Sequence, residues 1–600
     1  MTVTTAPRIA DDELVRTVER LAGIGFCHTP SFSPDGSRIA FLSDLSGTPQ
    51  VWTVAFEGGW PERVTAFPDQ VTNAMWSPTE ELIAVEVAPG GGLNQQIYLI
   101  RPDGSGLRRL SAGGADNNQI AMWSRDGKTL FVASSRDDAA RYDAFAVDVA
   151  TNTWRSIGER RGLTRVNHMS RAGTRLALTR VVARGDSNAY VVADGAETLI
   201  TPHPGQTQFF APRFVGEDVW LIADQDRELL GLARITSPGH LEYIAVRDDA
   251  ELDGWRTSDD DAVVALKWNV AGVDELEIIK RQGWTHTRVD LPAELTTAPL
   301  FSHDGQRMAI VCYGSTAPVD IWVADIGGRL RQLTRSPHPG VDLSTLVRPR
   351  VERFGAHDGL PLSGLLYVPR DFHAPGPCVL SFHGGPEGQE RPFFNGTYQA
   401  LLANGIAVFA PNVRGSTGFG KSFMHLDDRE KRFDGVRDIK ACVDHVIGIG
   451  VADPKRIGIT GGSYGGYMTM AGITEFPDMF AAAVCVCGIV NFLTFFSHTQ
   501  PWMAAVSKSE YGDPDTERDL LERLSPINKL DRVRTPLLVE HGANDTNVPL
   551  IEAQQMIDEL RKRNVEVEAL IFPDEGHGFT KTANRTRAAI DGVRWFATHL

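Results

Sequence analysis

The apolar and polar positions of this chain follow two rhythms, one in each half. In the first half a small polar turn leads into a short apolar run, again and again. Ser33-Pro34-Asp35-Gly36 precedes Arg38-Ile39-Ala40-Phe41, Trp76-Ser77-Pro78 precedes Leu82-Ile83-Ala84-Val85, and Trp123-Ser124-Arg125-Asp126-Gly127 precedes Leu130-Phe131-Val132. Met169-Ser170-Arg171-Ala172-Gly173 and Phe301-Ser302-His303-Asp304-Gly305 repeat the arrangement, with weaker copies at Phe214-Val215-Gly216 and Thr257-Ser258-Asp259. Taken at residues 33, 77, 124, 170, 215, 258 and 302, the copies lie 44, 47, 46, 45, 43 and 44 residues apart. A period of about 40–50 residues with several short strands per unit is that of a propeller blade. The turns agree, because Pro presets φ at the second turn position while Asp and Gly accept the tight bend. Strands such as Val51-Trp52-Thr53-Val54 and Ile321-Trp322-Val323 complete the units, and seven blades are expected over residues 25–345.

In the second half, buried runs alternate with helix-like stretches. Cys378–Phe382, Ile406–Ala410, Ile457–Thr460, Ala482–Val486, Leu537–Val539 and Val567–Phe572 read as strands. Val436–Ile447, Leu550–Arg563 and Asn584–His599 read as helices. Such alternation predicts a mostly parallel sheet covered on both faces. Val351–Phe354 and Leu362–Val368 flank His357-Asp358-Gly359, a hairpin that opens this domain near Pro349. Asp11–Leu21 reads as an amphipathic helix ahead of the propeller. The expected organisation is a helical segment over 1–24, a seven-bladed β-propeller over 25–345 and an α/β domain over 346–600.

Charge narrows what such a chain binds. A net charge of −16 over 600 residues argues against nucleic acid, which needs a clustered basic surface, and mildly favours cationic substrates. Met1–Asp11 has no basic stretch leading into an apolar core, so no secretory signal is expected. The longest apolar run, Met479–Phe496, is broken by Asn491 and Thr494 and reads as a buried strand entering a loop, not as a membrane span. The six cysteines show no zinc spacing, and their scarcity suits a reducing compartment. The expectation is a cytoplasmic protein with no metal and no organic cofactor, for which a homo-oligomer stays open.

The strongest local signal is Gly461-Gly462-Ser463-Tyr464-Gly465, a G-x-S-x-G turn between a strand and a helix. Such a turn strains the serine and lifts its hydroxyl above the sheet edge at a helix N-terminus. A serine hydroxyl is a poor nucleophile near neutral pH and needs a base that an acid orients. On an α/β scaffold the chain order should be Ser, acid, His, each after a strand. Asp545 follows Leu537–Val539 in His541-Gly542-Ala543-Asn544-Asp545, and His577 follows Val567–Phe572 in Glu575-Gly576-His577-Gly578-Phe579. A lone loop Asp or His is ordinarily a solvated surface residue. Three such residues in the right order at strand ends make Ser463, Asp545 and His577 a candidate triad of an α/β-hydrolase. The backbone N–H groups of Gly385, in His383-Gly384-Gly385-Pro386, and of Tyr464 are the candidate oxyanion donors. His383 and His541 read as packing residues. Phe492, Phe495, Phe496 and Trp502 are either a substrate pocket or plain core. Gly415–Ser422 matches the phosphate-loop pattern G-x-x-x-x-G-K-[ST], but nucleotide chemistry would also need a magnesium-holding Asp at a second strand end and a site of its own, not a sheet already equipped with a hydrolase triad.

These segments together resemble the prolyl oligopeptidase family of serine peptidases, its acylaminoacyl-peptidase and dipeptidyl-peptidase-like branches most of all. His383–Pro386, Asn412–Gly420, Gly461–Tyr467, His541–Asp545 and Gly576–Phe579 carry the resemblance, which covers nearly the whole chain. It implies a propeller that caps the active site and admits peptides but not folded proteins. It also implies that Asn547 contacts a substrate carbonyl and that Tyr464 serves both the oxyanion site and the pocket. The chain departs from prolyl oligopeptidases proper, which use a tyrosine side chain in the oxyanion loop. Glu80-Glu81 falls in a blade turn and does not map onto the glutamate pair with which dipeptidyl peptidases bind an amine. The leading expectation is a peptidase acting on small peptides or aminoacyl amides. A small-molecule amidase or esterase is the alternative, since one machinery serves both. A non-enzymatic propeller scaffold would need a broken triad.

Overall fold

The computed structural model describes residues 11–600; the opening Met1–Ala10, on which most of the leader expectation falls, lies outside the described residues. Four of the seven blade turns are built by one recurring pair of side chains. The Ser33 hydroxyl donates to Asp35 Oδ1 (2.7 Å) and accepts from the Arg38 amide (2.9 Å). Ser124 with Asp126, Ser258 with Asp260 and Ser302 with Asp304 repeat this bond, each serine again accepting the amide five residues on. The Ser33 hydroxyl and the Ser37 amide and hydroxyl hold the Asp35 carboxyl down at about 2. Gly36, Gly127 and Gly305 take the left-handed position that follows, at φ +68°, +67° and +69°. In the sixth blade Asp261 occupies it at φ +59°, which Asp tolerates. That replacement is why this copy looks weak in the sequence.

Seven antiparallel sheets result: six carry four strands each in chain order, and in the seventh two short first strands, Leu295–Thr296 and Leu300–Phe301, both pair with Arg307–Gly314. Side-chain packing closes the ring. Phe32, Ile39 and Phe41 of the first blade share a core with Val311, Ile321 and Val323 of the seventh, and Arg307 Nη1 donates to the Gly36 carbonyl at 2.8 Å.

The second domain is one eight-stranded sheet. Its order is Arg350–Gly355, Pro361–Tyr367, Ala407–Asn412, Gly376–Phe382, Ala452–Gly462, Ala482–Val486, Leu537–Gly542 and Val567–Phe572. The first two strands form the expected antiparallel hairpin and the other six run parallel. One core joins the inner face to helices Arg432–Gly448, Tyr464–Glu475 and Ile551–Lys562. Leu14, Val18 and Leu21 of helix Asp11–Ala22 pack with Leu402, Val593 and Phe596 on the other face, so the N-terminal helix docks on this domain and not on the propeller. The stretch after Ala482–Val486, expected as a loop, instead forms helices Phe492–His498 and Pro501–Tyr511. Asn491 starts the first by accepting the Leu493 amide at 3.1 Å, a cap that ends the strand reading of the run. Among the described residues no helix is long and apolar enough to cross a membrane.

Candidate active site

Ser463 sits between strand Ala452–Gly462 and helix Tyr464–Glu475 at φ +59°, the strained geometry of the predicted elbow. The glycines around it are required by contact. A Cβ on Gly465 would lie 2.0 Å from the Phe382 carbonyl, and one on Gly466 would lie 2.5 Å from Gly488 Cα. Asp545 and His577 follow the next parallel strands, Leu537–Gly542 and Val567–Phe572. All three residues therefore stand at carboxyl ends of one parallel run, where open α/β sheets place their sites.

His577 Nδ1 lies 2.7 Å from Asp545 Oδ2. The other carboxylate oxygen, Oδ1, accepts the Asn547 and Val548 amides at 2.8 and 2.9 Å, which pins the acid. The Asp545 side chain is buried while that of His577 is about a quarter exposed, so the imidazole faces open space. No hydrogen bond joins the Ser463 hydroxyl to His577 among the described residues; catalytic bonds are commonly long before substrate binds. His541 is fully buried, with Nε2 2.8 Å from the Val548 carbonyl, and burial lowers its pKa. Cys487 lies with His541 and Asp545, but burial pushes its thiol well up and Asp545 is already spent.

The candidate oxyanion loop, His383–Pro386, stands beside Ser463. A Cβ on Gly384 would come within 3.5 Å of Ser463 Cβ, so this loop abuts the nucleophile. The Gly385 and Tyr464 amides donate to no acceptor among the described residues. Gly385 is half-buried and Tyr464 buried, and N–H groups left without acceptors are the donors a developing oxyanion would need. His383 Nε2 lies 2.9 Å from Ser416 Oγ and ties this loop to the next. Below it the Tyr464 hydroxyl donates to Asp427 at 3.0 Å, and Arg432 bridges Asp427 (2.9 Å) and Glu510. Burial pushes Asp427 up to about 6 even beside Arg432.

Phe492 and Phe495 are buried with Tyr467 and Tyr511 in one aromatic cluster, Phe492 packing 4.9 Å from Tyr511. Phe496 is half-buried beside Phe495. Trp502 is set apart from them, against Tyr142 of the third blade with ring centroids 5.0 Å apart. The Asn547 side-chain amide, half-buried beside Asp545, has no protein partner among the described residues.

Several groups at the site come from the propeller, beyond the reach of sequence motifs. Arg184 of the fourth blade reaches Glu387 (2.6 Å) and the Gly385 carbonyl (3.4 Å). Gly90–Leu93 of the second blade press on the acid and histidine loops, with Leu93 N bonded to Thr546 Oγ1 at 3.0 Å. The phosphate-loop lookalike is also an interdomain contact. The Gly420 and Ser422 amides bind the Glu251 and Glu228 carboxylates of the propeller, each at 2.9 Å. Propeller acids thus fill the anion seat that a nucleotide phosphate would need.

The fold and site define a serine hydrolase of the α/β class carried beneath a seven-bladed propeller. Residues 392–600 match the prolyl oligopeptidase family. That match to a family of serine peptidases lies over the catalytic domain and leaves the propeller outside it. The chain is 27% identical to dipeptidyl aminopeptidase BIII of Pseudoxanthomonas mexicana, over 96% of this chain and 87% of the relative. It is 30% identical to an acylamino-acid-releasing enzyme of Arabidopsis thaliana over 37% of this chain and 30% of that protein. Among solved structures, a puromycin-hydrolyzing peptidase of Mycobacterium tuberculosis superposes with a TM-score of 0.86 at 20% identity, covering 100% of this chain and 97% of that one. The acylaminoacyl peptidase of Pyrococcus horikoshii follows at 0.73 and 19% identity, covering 97% of each.

Proposed function

We propose that the chain hydrolyses the amide bonds of small peptides or aminoacyl amides through Ser463, His577 and Asp545. The observation that carries this reading is the 2.7 Å Asp545–His577 pair standing at the same sheet edge as Ser463, beside two amides without acceptors. His577 takes the Ser463 proton as the oxygen attacks the substrate carbonyl. Asp545 holds the imidazole in the tautomer that accepts it and stabilises the cation. The Gly385 and Tyr464 amides receive the oxyanion. Collapse of the tetrahedral species expels the amine, which takes its proton from His577 and leaves an ester on Ser463. Water, deprotonated by His577, then releases the acid and restores the serine. The propeller covers this edge through bonds such as Gln500 Nε2 to Asn94 (2.9 Å), Trp502 N to Ala139 (3.1 Å) and Arg184 to Glu387 (2.6 Å). Such a cover gates access by size.

The alternative is a small-molecule amidase or esterase on the same machinery. It draws support from structural neighbours named for puromycin hydrolysis, whereas the relative of near full-length coverage is a dipeptidyl aminopeptidase. A paired chromogenic amide series separates the readings, with free-amine single residues in one arm and the same residues N-acetylated or extended by one residue in the other. Dominance of the free-amine arm means an aminopeptidase with an acidic amine anchor in the cavity. Dominance of the second arm means acylaminoacyl, dipeptidyl or oligopeptidase action. Inert amides with turnover of simple esters would sink the peptidase reading.

A further inference from the structure

The central channel of the propeller gathers a second set of charged groups, away from the catalytic edge. Contacts to the catalytic domain come from loops between the second and third strands of the blades, as at Asn94, Arg184, Glu228 and Gly272. The first strand of each blade begins at that end and turns into the second strand at the opposite end. The Ser33–Gly36 turn and its copies therefore ring the far mouth of the channel. A cavity of about 670 Å³ opens there, walled by residues from the first strands of all seven blades. Arg125, Arg165, Arg213 and Arg256 line it, and Asp259 is its one carboxylate.

These guanidinium groups are incompletely answered. Arg125 Nη1 and His303 Nδ1 share Asp259 at 3.8 and 3.5 Å. Arg165 Nη2 donates to the Ile120 carbonyl and Arg256 Nη1 to that of Trp255, each at 3.0 Å. Arg213 has neither ion pair nor hydrogen bond among the described residues, and its Nε is buried without an acceptor. Burial, then the neighbouring Arg256, pushes Arg213 down to about 9. The same burial and arginines hold His168 at about 2, so it adds no charge. The nearby acids are committed elsewhere: Glu86 takes the Ile120 amide and Asn73, and Asp261 takes the Gly216 amide at 2.9 Å. Four cations against one carboxylate, in a chain of net charge −16, leave donors unspent and repulsion unrelieved. The planar guanidinium fork matches phosphate and carboxylate oxygens, and either would supply the missing acceptors.

We propose that the far mouth of the propeller channel binds a small, multiply charged oxyanion through Arg125, Arg165, Arg213 and Arg256. The intact protein is titrated with inorganic pyrophosphate and, separately, with triglutamate, at ionic strength matched by KCl, and followed by calorimetry and thermal unfolding. Saturable binding and a Tm that climbs with ligand concentration are expected for at least one probe. Pyrophosphate assigns a phosphate ligand and triglutamate an acidic peptide. Arg213→Met and Arg256→Gln should each weaken binding tenfold or more and leave amide turnover unchanged. Without anion, Arg213→Met should keep or raise Tm, because it removes a charge its neighbours repel; a merely structural arginine would lower Tm when lost. Arg125→Gln, in the exposed turn, tests the same affinity loss if a deeper variant fails to fold. The proposal is overturned if neither probe binds beyond the KCl control, or if binding persists unweakened in Arg125→Gln and Arg213→Met.

Discussion

Ser463→Ala should lower kcat/KM on the preferred amide by roughly 10⁴–10⁶-fold while Tm stays within about 1 °C of wild type. The size of the loss follows from the role. The alanine keeps the backbone, and therefore the Gly385 and Tyr464 donors, but removes the only atom that forms the acyl bond. Residual turnover then rests on the oxyanion donors and binding alone. The near-neutral stability follows from the local geometry. Ser463 already stands at φ +59°, and alanine meets the same backbone strain that serine does. Its side chain forms no helix-capping hydrogen bond that would be lost. Asp545→Asn is the companion test. It keeps the shape but presents His577 with a donor, so the imidazole is held in the wrong tautomer and kcat should fall by about 10⁴. Initial rates measured beside circular dichroism melts decide both. Wild-type turnover in purified Ser463→Ala would remove this residue from the chemistry.

What was legible in the sequence divides by the range of the interaction. Blade turns are set within five residues of a serine, with an aspartate and a glycine completing the turn at Ser33, Ser124 and Ser302, so five copies stood out at once. The sixth blade was faint because Asp261 takes the left-handed position that Gly36 and Gly305 take elsewhere. The fifth was faint because its first two strands meet at Val215 and Asp218 with Gly216 at φ +61° and no Ser–Asp pair. Ser463, Asp545 and His577 were legible because each rides a short strand-end motif, and a parallel sheet brings such ends to one edge. The helix after Asn491 was missed because Leu493, Phe495 and Phe496 read equally as buried strand until the cap is seen. The contributions of Arg184 and Gly90–Leu93 left no local trace. Asn544 meets Gly90 across 454 residues of chain, and only the docking of the two domains creates that contact.

That docking supports the second large effect: Gly91→Ala should cut kcat/KM by roughly 100-fold without unfolding the protein. Gly91 stands at φ +77°, and a Cβ there would lie 2.7 Å from the Gly576 amide and 3.5 Å from Glu575 Cα, immediately before His577. The two backbones meet face to face, because a Cβ on Gly576 would in turn fall 2.0 Å from the Gly91 carbonyl. No flexible side chain can yield, so either the blade loop or the histidine loop must move by several tenths of an ångström. The acid loop is held by the same blade through Leu93 N to Thr546 Oγ1 (3.0 Å) and Asn544 Nδ2 to the Gly90 carbonyl (3.2 Å). Displacement therefore reaches both partners of the Asp545–His577 bond, and misplacement of about 1 Å is what costs two decades. Gly195→Ala separates this from simple backbone strain. It stands at φ +79° with nothing within 4 Å of the added Cβ. Gly195→Ala should lose about 1 kcal/mol of stability to the left-handed backbone, Gly91→Ala that and the further cost of the displaced loop, and only Gly91→Ala should lose activity. Equal activity in the two variants would mean that the propeller merely covers the site. The expected difference would make the second blade part of the catalytic geometry, holding from outside the domain the two loops that the sheet alone leaves free.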